Sequence, residues 1–131
     1  MIRYDTEHLD PERIGFVKSH LGPDVKTIAD IASGGGKYSV YFARQGHEVT
    51  AYDYSPELLK TVKVRARHAG VDERLTEKKL DLTKIGKPGN KLSGKYDAVF
   101  MFDILEHMTD DVGVLKKIRP HTSRILFINV P

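Results

Sequence analysis

Acids, glycines and a histidine fall together at several points of this sequence, each time at the end of an apolar run. The first is Asp30-Ile31-Ala32-Ser33-Gly34-Gly35-Gly36-Lys37-Tyr38. A glycine turn lets backbone approach a ligand closely, and the helix after it presents free N–H groups and the positive end of its dipole. The same residues also suit a strand-to-helix turn with no ligand. Two phosphate-binding patterns fail here. A Walker-type loop needs glycine where Ile31 stands and Ser or Thr where Tyr38 stands. The dinucleotide pattern fits Gly34 and Gly36 but meets Ser39 at its third glycine.

Asp53 follows Gly34 by 19 positions. At that place its two oxygens can accept both hydroxyls of a ribose. The competing role, capping the next helix, is weakened because Ser55 already serves it. Asp81 lies in Leu80-Asp81-Leu82. A carboxylate there can accept an adenine amino proton while the next N–H reaches a ring nitrogen, or it is an exposed acid at the start of a loop. Asp103-Ile104-Leu105-Glu106-His107 crowds a further terminus. His107 is the candidate base near neutral pH, and the plainer reading has Glu106 and His107 orienting the loop.

These residues need a frame that brings them together. Asp10-Pro11-Glu12 signals a helix start, with Ile14, Phe16, Val17 and Leu21 as its buried stripe and Gly22-Pro23 as its stop. Strands are expected at 25–32, 48–53, 74–82 (the weakest), 96–102 and 124–130. Helices are expected from about 37 to 45, from Pro56 to about 69 behind the Ser55 cap, and from about 110 to 118. Residues 83–95 read as a long loop. Strands joined by helices pair in parallel through right-handed crossovers, which predicts a doubly wound α/β sheet. In such sheets ligands bind at the C-terminal strand ends, where the acids and glycines are.

The chain has 131 residues, 40% hydrophobic and 30% charged, with a mean hydropathy of -0.39, which suits one globular domain. No apolar run approaches the ~20 residues of a membrane helix. The absence of cysteine excludes disulfides, thiolate metal ligands and a cysteine nucleophile. MIRYDTEHLD carries charge where a signal peptide needs an apolar core, so the expected location is cytoplasmic. A net charge of +3 permits an anionic partner without requiring one.

In order along the chain, these motifs resemble the class I S-adenosylmethionine-dependent methyltransferases, in particular the small-molecule type related to ubiquinone- and menaquinone-biosynthesis enzymes. The carriers are Asp30 to Gly36 against an acid-x-Gly-x-Gly-x-Gly turn, Gly46 to Leu59 around Asp53, Leu80-Asp81-Leu82, and Tyr96 to Phe100 with Asp103 to His107. The resemblance implies a Rossmann-like sheet in the order 3-2-1-4-5 with helices on both faces. It implies a single domain over residues 1–131, with 1–24 as a helical lid carrying Tyr4 and 25–131 as the cofactor-binding core. Asp30 and the turn of Ala32, Ser33, Gly34 and Gly36 would hold the methionine part of S-adenosylmethionine. Asp53 would bind the ribose, and Asp81 with Leu82 the adenine. Asp103 would line the wall near the acceptor, and Tyr38 and Tyr54 complete the cofactor-binding set. S-adenosylhomocysteine would be the product.

The sequence departs from the family pattern in two ways. Ala32 stands at the first glycine of the turn, and the chain stops at Pro131 without the antiparallel strands that usually close the sheet. A shortened or minimal relative is expected, with residues 124–130 as an open edge that favours self-association. The expected acceptor is a small molecule. The lysines at 84, 87, 91 and 95 read first as a solvated loop, nucleic acid is not favoured, and no membrane partner is expected. No metal is expected either: a metal site at Asp103, Glu106 and His107 would need a further histidine, and only His121 lies downstream. Two other readings are a non-catalytic cofactor-binding domain and a fragment of a nicotinamide-dependent dehydrogenase.

Overall fold

A computed structural model describes residues 9–129. Its strands are β1 (Thr27–Ile31), β2 (Glu48–Asp53), β3 (Leu75–Lys79), β4 (Tyr96–Phe102) and β5 (Thr122–Asn129). Its helices are α1 (Pro11–His20), α2 (Lys37–Arg44), α3 (Pro56–His68) and α4 (Asp111–Ile118). The sheet order is β3-β2-β1-β4-β5 and every pairing is parallel, as expected.

Alternation along each strand sends side chains to two cores. Ile28 and Phe100 join Val40, Phe42, Val62 and Ala66 beneath α2 and α3, and Val17 of α1 belongs to the same cluster. Ala29, Ile31, Val99 and Met101 face the other way, against Val114 and Ile118 of α4 and Leu82 and Leu92 of the long connection. Helices therefore cover both faces of the sheet.

The caps behave as their residue types dictate. Asp10 accepts from the N–H groups of Glu12 and Arg13, and Ser55 accepts from Leu58 N–H at 3.2 Å. Ser55 is thus the cap of α3, which leaves Asp53 for other work.

Several expectations change. β3 ends at Lys79 rather than residue 82, because its pairing with β2 ends at Asp53↔Lys79. Asp81 consequently lies past the strand and caps a single 3-10 turn, Leu82–Lys84. Phe16 leaves the stripe of α1: Ile14, Val17 and Leu21 share the inner face, while Phe16 is 59% exposed beside His20. β1 is also shorter at both ends than the span 25–32, and β5 starts two residues earlier than 124. Tyr4 and residues 1–8 of the expected lid 1–24, like residues 130 and 131, lie outside the described residues.

Candidate functional site

Parallel register sets the site. β1, β2 and β4 end side by side, so Ala32, Asp53 and Asp103 emerge at one edge of the sheet. A cavity of about 400 Å³ opens there, lined by Ala32, Asp53, Tyr54, Asp81 and Leu82 among others, with apolar walls from Leu80, Ile104 and Met108.

Asp53 is held from two directions. Its Oδ1 accepts from Gly34 N–H at 3.1 Å and its Oδ2 from Ser55 N–H at 3.0 Å. A carboxylate has about four lone-pair sites, so each oxygen keeps one for a ligand. The two amides fix the carboxylate's orientation before any ligand arrives, which lowers the ordering cost of binding.

Asp81 has one committed oxygen. Its Oδ1 accepts from Thr83 N–H at 3.0 Å and from Thr83 Oγ1 at 2.6 Å, and that hydroxyl holds the carboxyl below the ordinary range. Oδ2 is left over, and the adjoining Leu82 N–H starts a helical turn, where an amide has no intrahelical acceptor. Asp81 does the structural work of a cap and still faces the cavity.

Asp30 lies under the glycine turn, 3% exposed, with Ser39 Oγ donating to its Oδ2 at 2.7 Å. Burial raises its pKa from 3.8 to about 7, with the Ser39 hydrogen bond acting the other way and the Asp53 charge adding to the rise. Above it, Ser33 Oγ is buried without a hydrogen-bond partner, a polar atom that a ligand's donor or acceptor would satisfy. A Cβ at Gly34 would meet nothing within 4 Å, so the turn is open on that side.

Two non-glycine residues in the described chain have left-handed backbone, and both follow adjacent strands at this edge: Ala32 (φ 57°) and Asp103 (φ 57°). Such strain collects at functional sites. At Ala32 it explains why a glycine suits the position. Ala32→Gly should stabilise the fold by up to about 1 kcal/mol, since strain of roughly 1–2 kcal/mol is relieved against an entropic cost of roughly 0.4–1 kcal/mol. Urea unfolding midpoints check this, and a midpoint that drops would show that Ala32 carries no strain.

Arg13 is the site residue that sequence reasoning missed. From α1 its Nη2 lies 2.9 and 3.1 Å from the two Asp103 oxygens, and its Nη1 donates to Tyr38 Oη at 3.3 Å. The guanidinium rests on the Tyr38 and Phe102 rings, its Nε buried without a partner. Tyr38 Oη also accepts from Asp10 N–H. Tyr38 therefore ties α1 to α2, and Asp103 is engaged by Arg13. No local pattern points to a contact across 90 residues; a lone arginine in the first turn of an amphipathic helix was the only signal.

Tyr54 is 63% exposed on the rim, with Lys79 Nζ over its ring. His107 lies in the 3-10 turn Leu105–His107, exposed, with Nε2 3.5 Å from Glu106 Oε1. It lines a second cavity of about 310 Å³ that shares Leu82, Thr83 and Met108 with the first. Among the described residues no group of His, Cys, Asp and Glu is placed to hold a metal ion, and no helix is long and apolar enough to cross a membrane.

Comparison with known proteins adds an independent line. A family model described as a methyltransferase domain matches residues 28–124. The ubiquinone biosynthesis O-methyltransferase of Xanthomonas axonopodis pv. citri (strain 306) is 33% identical over 110 residues, covering 82% of this chain and 43% of that protein. The chain thus spans less than half the length of this relative. Coclaurine N-methyltransferase, solved with N-methylheliamine and S-adenosylhomocysteine, superposes with a TM-score of 0.76 at 20% identity, over 88% of this chain and 34% of that one. A glycopeptide N-methyltransferase, MtfA, solved with S-adenosylhomocysteine, gives 0.68 at 22% identity, over 91% and 49%. At these identities the structural likeness concerns the fold.

Proposed function

The chain belongs to the methyltransferase-domain family, and from that premise we propose that it binds S-adenosylmethionine at the ends of β1, β2 and β4 and serves methyl transfer to an oxygen of a small-molecule acceptor. The observation that carries this reading is Asp53, fixed by Gly34 and Ser55 amides at the mouth of an apolar cavity. The orphaned Ser33 hydroxyl, the open side of Gly34 and the free oxygen of Asp81 suit the polar ends of the same molecule.

When bound, S-adenosylmethionine supplies a methyl group already activated by its sulfonium charge and leaves as S-adenosylhomocysteine. The residues' task is mainly alignment, since holding two reactants in register removes much of a displacement's entropic barrier. Asp53 receives the ribose hydroxyls, and Asp81 and the Leu82 amide receive the adenine edge between Leu80, Ile104 and Met108. Asp30 and the Ala32–Gly36 turn face the methionine end, where Asp30 offers negative charge to a cation. Arg13 and Tyr38 close that end from α1 and α2. His107 takes the acceptor's proton where one must be lost, with Glu106 stabilising the ring once charged.

Asp30 gives this reading a pH signature. Burial raises the Asp30 pKa to about 7 and so favours its neutral form below that pH. A cationic ligand favours the ionised form, so affinity for S-adenosylmethionine should rise from pH 5.5 to about 7 and level off above. Asp30→Asn cannot ionise and should flatten that rise. Titration calorimetry across the range reads it, and an unchanged slope in Asp30→Asn would remove Asp30 from the site.

Calorimetric titration of the chain with S-adenosylmethionine tests the binding reading, and S-adenosylhomocysteine release with a panel of hydroxylated aromatic compounds tests the transfer. Saturable binding without product over the panel would favour a non-catalytic cofactor-binding domain. Failure of well-folded protein to bind would overturn both.

A further inference from the structure

Away from the cofactor site, two stretches without acids meet. Residues 82–96 carry Lys84, Lys87, Lys91 and Lys95 with no Asp or Glu, and residues 112–124 carry Lys116, Lys117, Arg119 and Arg124, again with none. The fold brings them together around a cavity of about 300 Å³ lined by Gly86, Lys91, Leu92, Lys116, Lys117 and His121 among others. His121 immediately precedes β5 and Gly94 lies two residues before β4, so this cavity borders the opposite end of those strands from Asp103 and the S-adenosylmethionine site.

Arg124 is spent on carboxylates, 3.9 Å from Asp24 Oδ2 and from Asp97 Oδ1, but the lysines at the cavity are not. Among the described residues, Lys91, Lys116 and Lys117 form no ion pair with an acid. Lys116 and Lys117 lie in the last turn of α4, where the helix dipole favours positive charge. That accounts for those two and not for Lys91, which arrives from the other stretch. The wall is also built. Gly86 has a φ of 90°, which favours glycine, and Lys117 crosses close over it: a Cβ there would lie 2.8 Å from Lys117 Cδ and 2.9 Å from its Nζ, so a side chain would push the lysine end aside. Gly86 N–H donates to Asn90 O at 2.8 Å, which closes that loop on itself. His121 Nδ1 sits 2.5 Å from Gly94 O, and a carbonyl can only accept, so Nδ1 carries the hydrogen and the ring is fixed.

We propose that this cavity, lined by Lys91, Lys116 and Lys117 with the His121 ring as part of its wall, binds a small anion bearing a phosphate or diphosphate group. Lysine suits that ligand as a compact point charge with freely turning donors. A nucleic-acid strand fits less well, because the lining holds no Phe, Tyr or Trp ring on which a base could stack. The site does not depend on the cofactor reading, and its test needs no S-adenosylmethionine.

The probe is pyrophosphate, titrated calorimetrically into the full chain at low ionic strength. One saturable site is expected. The double variant Lys91→Gln/Lys117→Gln should weaken it roughly tenfold or more, as loss of charge-assisted contacts does. The control Lys60→Gln/Lys63→Gln removes the same charge from the exposed side of α3 and should leave affinity within about twofold. Thermal melts without ligand confirm that both variants fold. Equal weakening by the two pairs would reduce the effect to net charge and overturn the site. So would an absence of saturation, or binding of a single-stranded oligonucleotide or an anionic vesicle that pyrophosphate cannot displace.

Discussion

Asp53→Ala should lose S-adenosylmethionine binding by about a hundredfold or more while the chain remains folded. Two hydroxyl hydrogen bonds to a carboxylate contribute roughly 1.5–3 kcal/mol each, and a tenfold change in affinity corresponds to about 1.4 kcal/mol. The alanine also removes the acceptor of Gly34 N–H and Ser55 N–H. Part of the loss will therefore come from a glycine turn that is no longer held against β2. Asp53→Asn separates the two contributions. Its amide keeps the shape and one acceptor oxygen, so it can hold one of the two N–H groups but offers the ribose fewer and weaker acceptors. The asparagine variant should melt close to the parent and bind at an intermediate level. Calorimetry and thermal melts on the three proteins decide it. Wild-type affinity in a folded Asp53→Ala would remove the ribose from this carboxylate and with it the placement of the cofactor.

The place of Asp53 at a strand end was legible in the sequence because its surroundings are local. Ser55-Pro56-Glu57 declares a helix start two residues on, and the strand before it is a short run bounded by Gly46. The same holds for the order of the sheet, since caps and glycine stops cut the chain into alternating strands and helices that admit few topologies. Where the sequence misled, the cause lay in long-range pairing. Residues 80–82 have strand-like composition, yet β3 can extend only as far as its partner, and β2 stops at Asp53. Arg13 reaches Asp103 and Tyr38 only because α1 packs beside the start of α2 and the end of β4, which no window of sequence contains. The left-handed backbone of Ala32 and Asp103 was hidden for a related reason. Alanine has no turn preference to announce it, and the strain is imposed by the strands on either side.

Gly36 shows the opposite case, a residue whose type is dictated twice. It caps α2 with a φ of 82°, and a Cβ built on it would lie 2.7 Å from Val62 Cγ2 and 3.1 Å from Val62 Cγ1. Val62 is fully buried in the core beneath α2 and α3, so it has no room to retreat. Gly36→Ala should therefore incur backbone strain of roughly 1–2 kcal/mol and overpacking of roughly 1–3 kcal/mol. For a chain of this size that lowers the melting temperature by about 10–20 °C. Gly34→Ala is the internal comparison, for it has a positive φ of 59° but nothing within 4 Å of the added Cβ. It should show only the backbone contribution, about 1–2 kcal/mol. The double variant Gly36→Ala/Val62→Ala tests the clash itself. If the methyl groups of Val62 are the obstacle, the double variant will be less destabilised than the sum of the singles, because each change relieves the other. Strict additivity would mean that α2 shifts freely away from α3, and the glycine would then be required by its dihedral angle alone.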